Sequence, residues 1–356
     1  MARWAPLALL AACSPAPQWI ATVGDGQVTL YDAGLAVIDG FGAPARAGAR
    51  IAFDPSGTAV LLLTASPDGT MLVRLSRLTG TVDERWRLPG APVGFAAAAD
   101  GTIIVGTVAA TTDDSVAGLL HVVPRAAATR RVRTVSACSA PLRDTYYWED
   151  GREVFVVCAD GTVVEVDARL WVKVRSQAAV DDTCDPRALT MSANGTLLFV
   201  VCGVGRLQYV DRLRLTALDS VEMGFGARGV ARTPNGRYAL IPIPERDVVA
   251  VVDLRRRTVD RRLGIRTPVH VTVSGDGGTA YVVSRTASHG SEILAVDLAS
   301  LQIVQRVAAV RGAASVAVWP GQRSPTMRWR AAPAERVAGS LPYRQRLRRP
   351  IREVVR

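Results

Sequence analysis

The chain is nearly without lysine: of 43 basic residues among 356, Lys173 is the one that is not arginine. An arginine bias of this kind follows base composition as readily as chemistry, so the pI of about 10.2 is weak support for a nucleic-acid partner. Apolar runs of 18 or more residues are missing, which excludes a multi-span helical membrane protein. No segment carries a sustained 3.6-residue period, which excludes a coiled coil or a helical bundle. Disorder is excluded by a hydrophobic content of 49%, ample for a core. There is no P-loop, no C-x-x-C-H and no G-x-S-x-G. The three histidines, His121, His270 and His289, have no metal-ligand spacing. Neither a metal nor a cofactor is expected, and no catalytic constellation stands out.

The net charge of +11 is unevenly spread. Residues 320–356 hold ten arginines, two glutamates and no aspartate, so most of the excess lies there. Pro325, Pro333, Pro342 and Pro350 interrupt any long helix in this stretch. The expectation is a basic, mostly irregular tail over 321–356.

What the body does have is a repeat. A short apolar stretch, a turn ending in glycine and a β-branched run recur about every 42 residues. The turn glycines are Gly57, Gly101, Gly151, Gly195, Gly236 and the Gly277-Gly278 pair, several in Asp-Gly or Asn-Gly dipeptides that suit tight hairpins. A third strand often closes on Val-Asp, as at Asp167, Asp211, Asp253 and Asp297, and a fourth follows. Four short antiparallel strands per unit make a propeller blade. Six units are complete, over about 46–90, 91–135, 140–180, 185–224, 227–266 and 268–311. Residues 18–41 supply three strands lacking a first, and Ser315 to Pro320 supply a first strand lacking three. Together they make a seventh blade. The fold class expected is therefore all-β, a seven-bladed propeller closed by both ends of the chain.

Phe199-Val200-Val201-Cys202 and Tyr281-Val282-Val283-Ser284 resemble the YVTN-type family of seven-bladed propellers. The resemblance implies the fold over roughly 18–320 and says little of function. Leu10-Ala11-Ala12-Cys13, behind Arg3 and a short apolar run, resembles the lipobox of bacterial lipoproteins. That implies a signal over 1–12, lipidation of Cys13 and a mature propeller over 13–320. With Ser14 next, it implies an outer-membrane anchor facing the periplasm or cell surface. The membrane, through this lipid, is the expected partner, with an envelope polymer and an unidentified protein as others. Export argues against nucleic acid.

The other four cysteines are Cys138, Cys158, Cys184 and Cys202, which allow three pairings. Cys158 and Cys202 end second strands, and Cys138 and Cys184 precede first strands. Pairing 138 with 158 and 184 with 202 gives the same within-blade staple twice; four buried thiols are the alternative. Gly224-Phe225-Gly226-Ala227-Arg228-Gly229 matches a dinucleotide fingerprint but falls between blades, without the strand and helix that motif needs. Tyr146-Tyr147-Trp148 reads as packing on a first strand. Asp113-Asp114 reads as a solvated loop, without calcium-site spacing.

Eight residues before the turn glycines Gly151, Gly195, Gly236 and Gly278 stand Arg143, Arg187, Arg228 and His270. The expectation is that these four converge where the inner strands begin, at the channel mouth, to hold an anion, with Asp144 and Asp185 as braces. The leading function is an envelope-anchored binding or scaffold module. The alternative is an enzyme, a lactonase-like hydrolase or a quinoprotein-dehydrogenase-like subunit.

Overall fold

A computed structural model describes residues 18–110, 116–125, 131–148, 151–181, 183–286 and 290–319. Cys13, the lipobox, the acidic pair Asp113-Asp114, His289 and the basic tail lie outside the described residues.

The β-branched runs form seven four-stranded antiparallel sheets. From the inner strand outward, blade 1 is Ser315–Trp319, Trp19–Gly24, Gln27–Tyr31 and Val37–Gly42. Blade 2 is Arg50–Phe53, Ala59–Ser66, Gly69–Ser76 and Val82–Leu88. Blade 3 is Ala91–Ala97, Ile103–Ala110, Val116–Val123 and Arg133–Cys138, and blade 4 is Leu142–Tyr147, Glu153–Cys158, Thr162–Asp167 and Val172–Ala178. Blade 5 is Pro186–Met191, Leu197–Cys202, Arg206–Asp211 and Thr216–Glu222. Blade 6 is Ala231–Arg232, Tyr238–Ile243, Val248–Asp253 and Thr258–Gly264, and blade 7 is Pro268–Val273, Thr279–Arg285, Ser291–Asp297 and Gln302–Ala309. Inner strands pack against the inner strands of neighbouring blades, and blade 7 meets blade 1, which meets blade 2. The array is a closed seven-bladed propeller, with both chain ends in blade 1, where Trp19 pairs with Trp319 and Val23 with Ser315.

Local chemistry explains the repeat. In the turn between first and second strands, the glycine N–H donates to the carbonyl three residues earlier, as from Gly195 to Ser192. Glycine is required there by positive φ, 69° at Gly195 and 68° at Gly236. The Val-Asp signature is a second turn. The Asp167 carboxylate accepts the N–H groups of Arg169 and Leu170, and Asp253 those of Arg255 and Arg256. Between blades, side chains fill separate apolar clusters; Phe199, Val201, Tyr209, Ile241 and Val252 join blades 5 and 6. Tyr146 and Trp148 pack toward blade 5 and Tyr147 toward blade 3, so this aromatic run is inter-blade packing.

Cys138 is bonded to Cys158 and Cys184 to Cys202, with Cα separations of 5.9 and 4.7 Å. One feature departs from expectation. Cys138 is not in free chain before a first strand; it ends the outer strand of blade 3, opposite Gly118. Its disulfide therefore ties blade 3 to the second strand of blade 4. The blades meet closely enough because Gly118 has no side chain: a Cβ there would stand 2.6 Å from the Leu142 side chain of blade 4.

Candidate functional site

The inner strands of blades 4 and 5 begin with a bulge. Register slips between Leu142 and Asp144 and between Pro186 and Ala188, leaving Arg143 and Arg187 as the extra residues. Arg228 holds the same place in blade 6, its N–H donating to the Pro242 carbonyl. The three arginines stand at the starts of three successive inner strands and are joined by carboxylates. Asp185 pairs with Arg187 and lies 3.7 Å from Arg143. Glu245, from the 3-10 turn Pro244–Arg246, pairs with Arg228 at 2.7 Å and feels Arg187. Burial acts to raise the Glu245 carboxyl, but the Arg228 hydrogen bond and the two guanidinium charges outweigh it and hold it below the usual range.

This arc carries one more cation than anion. Among the described residues, the Nε of Arg143 is buried and has no hydrogen-bond partner. Asp185 braces the arc as expected. Asp144 does not: it faces Arg50 instead.

His270 does not join the arc. The turn glycine of its blade is Gly277, with φ of 76° and its N–H on the Ser274 carbonyl; Gly278 is an ordinary residue beside it. Counted from Gly277, the arginine position falls on Val269, the extra residue of a bulge between Pro268 and His270. His270 is one place further along the strand. The residues at that next place around the ring are Arg50, Gly94, Asp144, Ala188, Gly229 and His270. Ser315, opening the inner strand of blade 1, completes the seven.

This second layer is tied across blades. The N–H of Ile51 donates to Ser315 Oγ at 3.4 Å, that of Val316 to His270 Nδ1 at 3.4 Å, and that of Leu189 to Asp144 Oδ2 at 2.9 Å. In each case the residue just past the ring position of one blade donates to the ring side chain of the preceding blade. Nδ1 of His270 being an acceptor, its proton sits on Nε2. Burial, then the Arg50 charge, pushes His270 down to about 4, so the ring is neutral at physiological pH. Burial pushes Asp144 above the usual carboxylate range, against Arg50 and the N–H groups of Leu189 and Thr145. Arg50 was not flagged by the sequence because its blade places Ala49 at the arginine position; only the strand register reveals it.

The remaining sequence features are structural. His121 is wholly buried between Thr107 and Thr134, at 2.9 and 3.0 Å, and burial lowers its pKa. The segment Gly224 to Gly229 is the connection from blade 5 to blade 6, with positive φ at Gly224 and Gly226. It brings Phe225, largely exposed, beside the arc, since the Gly226 N–H donates to the Gly203 carbonyl and Gly203 abuts Asp185 and Arg187.

No protein-family model matches the chain, and no curated protein matches it. Solved structures do share its shape. The dihydro-heme d1 dehydrogenase NirN, in complex with DHE, superposes with a TM-score of 0.62 at 16% identity, over 85% of this chain and 74% of that one. Hydrazine synthase of Kuenenia stuttgartiensis gives 0.62 at 14% identity, over 80% and 90%. At these identities the likeness shows the propeller fold alone.

Proposed function

We propose that this chain is a binding or scaffold propeller of the bacterial cell envelope that takes an anionic ligand at the channel mouth. The observation that carries the reading is the arc Arg143–Asp185–Arg187–Glu245–Arg228 across three adjacent blades, one cation in excess. Guanidinium forks held by neighbouring carboxylates are pre-organised for a carboxylate or phosphate. Two disulfides point to an oxidising compartment outside the cytoplasm, and among the described residues no helix is long and apolar enough to cross a membrane. The lipobox supplies the anchor in this reading, through Cys13, and the strand repeats supply the kinship to YVTN-type propellers. A lactonase-like or quinoprotein-dehydrogenase-like activity rests on shape alone.

The test is calorimetric titration of the full chain with small dicarboxylates and phosphorylated sugars. An anionic haem-type macrocycle belongs in the same series, because one solved propeller of this shape is a dihydro-heme d1 dehydrogenase. Arg187→Ala with Arg228→Ala should weaken the bound anion at least about tenfold and remove much of its salt dependence. Unchanged binding in that variant would place the site elsewhere.

A further inference from the structure

We propose that the face of the ring opposite the channel mouth docks on an anionic membrane surface, through a belt of leucine and arginine on blades 4 to 6. The proposal deepens the envelope reading above and rests on it for its partner. Inner strands begin at the mouth and end on this opposite face, so the turns from first to second strand and from third to fourth strand both lie there. In blade 5 the two turns touch: Arg212 of the later one donates to the Gly195 carbonyl of the earlier one at 3.1 Å. The turns from third to fourth strand carry the most exposed large apolar side chains among the described residues. Leu78 and Leu213 are each 75% exposed and Leu170 is 67% exposed. Leu78 stands apart in blade 2, whereas Leu170 and Leu213 belong to neighbouring blades.

Arg175, on the outer strand of blade 4, donates to the carbonyls of Arg212 and Leu213, so the blade 5 turn lies against that strand. Arg257 pairs with Asp219 at 2.6 Å and ties the blade 6 turn to the outer strand of blade 5 in the same way. Val172, Val174 and Leu218, exposed on those outer strands, extend the leucine tips into one belt. Arg169, Lys173, Arg214, Arg255 and Arg256 stand among them, exposed and, among the described residues, in no salt bridge. The acids of the belt are engaged. Asp167, Asp211 and Asp253 accept N–H groups of their own turns, Glu165 pairs with Arg175 and Asp219 with Arg257. Apolar tips on projecting turns, with long cations beside them, suit the boundary of headgroups and acyl chains: the leucines enter and the guanidinium groups stay at the phosphates.

The chain ends favour a membrane over a protein partner. Trp19 and Trp319 pair on this same face, and Arg77 of the blade 2 turn lies over the Trp19 ring at 4.1 Å. Cys13 precedes Gln18 by five residues, a reach of at most about 18 Å. Residues 320–356, with their ten arginines, follow Trp319. A single acyl chain anchors weakly and needs a second signal. Lipid, basic tail and leucine belt act together when this face meets the bilayer, and the mouth then opens away from it.

The experiment uses the full chain with Cys13→Ala, so that no acyl chain contributes, and vesicles of phosphatidylcholine with and without phosphatidylglycerol. The chain should co-sediment with the anionic vesicles and bind the neutral ones at least about tenfold more weakly. Leu170→Ser with Leu213→Ser, at exposed positions that the fold does not need, should weaken binding to the anionic vesicles at least about tenfold. Arg214→Gln with Arg256→Gln should do the same. Arg187→Ala with Arg228→Ala, at the mouth, should bind within about twofold of the parent. The envelope reading is judged apart, by whether Cys13 of the wild-type chain from a bacterial host carries lipid. Equal binding to both kinds of vesicle, or no binding by a chain whose cooperative unfolding is intact, would overturn the proposal. So would binding indifferent to the leucine changes, which assigns it to the basic tail alone, or a leucine-dependent dimer in place of vesicle binding, which gives the belt to a second copy.

Discussion

A histidine kept neutral inside a channel makes the protein sensitive to acid, and the sign can be worked out for His270. Free of the fold it titrates near 6.5; in the ring, burial and Arg50 bring it to about 4. Between those values the unfolded chain binds a proton that the native chain does not. Stability is therefore full above about pH 6.5 and falls as pH drops toward 4. A shift of this size corresponds to roughly 3 kcal/mol. The imidazole surface is partly open to channel water, which reduces the expected loss to about 1–2 kcal/mol. Urea unfolding at a series of pH values should show this slope in the native chain and a flatter one in His270→Gln. Equal slopes would mean that the ring of His270 is solvated and titrates normally. The mouth arginines differ in kind: Arg187 and Arg228 are well exposed, so removing them should change folding stability by less than about 0.5 kcal/mol while changing anion binding.

At the level of strands and blades, the cysteines make a paired test. The two disulfides span 20 and 18 residues, so loop entropy alone assigns each about 3 kcal/mol. Their placement separates them. Cys184–Cys202 lies within the approach to blade 5, whereas Cys138–Cys158 joins two sheets. Cys138→Ala with Cys158→Ala should open amide exchange along Arg133–Cys138 as well as lowering the unfolding midpoint; Cys184→Ala with Cys202→Ala should leave that strand protected. Identical exchange maps would show that the inter-blade link adds nothing beyond chain entropy. These same elements show what could be read from residues alone. Turn chemistry is local, so Asp-Gly, Asn-Gly and Val-Asp mark the strands, their number and the split blade without any structure. Bulges are not local. One extra residue at the start of an inner strand decides whether a side chain stands in the upper or the lower layer. Arg143, Arg187 and Arg228 were found by counting because their turns hold single glycines. His270 was misplaced because Gly277 and Gly278 offer two starting points, and Arg50 escaped notice for a similar one-residue reason. Asp144 read as a brace for the arginines because sequence neighbours look like spatial partners; its carboxylate in fact bonds to Leu189 of the next blade.

For the whole ring, the decisive element is the last described strand. Ser315–Trp319 is far from Trp19–Gly24 in sequence but pairs with it along five residues, and without it the Trp19–Gly24 strand would be a bare edge. Val316 and Ala317 are buried, and Trp319 packs against Gly57 of the next blade so closely that a Cβ on Gly57 would stand 2.2 Å from the indole. Ring closure thus depends on a tryptophan from one end of the chain seated on a glycine near the other, with φ of 68° adding a second reason for glycine. Gly57→Ala should cost about 2 kcal/mol or more, from the strained backbone and the displaced indole together. Truncation gives the sharper contrast. A chain ending after Trp319 retains all four strands of blade 1 and should unfold within a few degrees of the full chain. A chain ending after Ala314 loses the inner strand, the Ser315 and Val316 ties to blades 2 and 7, and the Trp319 contact. The loss should be about 5 kcal/mol or more, comparable to the whole stability of many domains. Its expected signature is early, probe-dependent unfolding with self-association through the exposed edge. Thermal unfolding and sedimentation of the two truncations decide it. Equal midpoints would show that six blades and three strands close without the strand that joins the chain ends, and a large loss on removing 320–356 alone would show that the basic tail carries part of the fold.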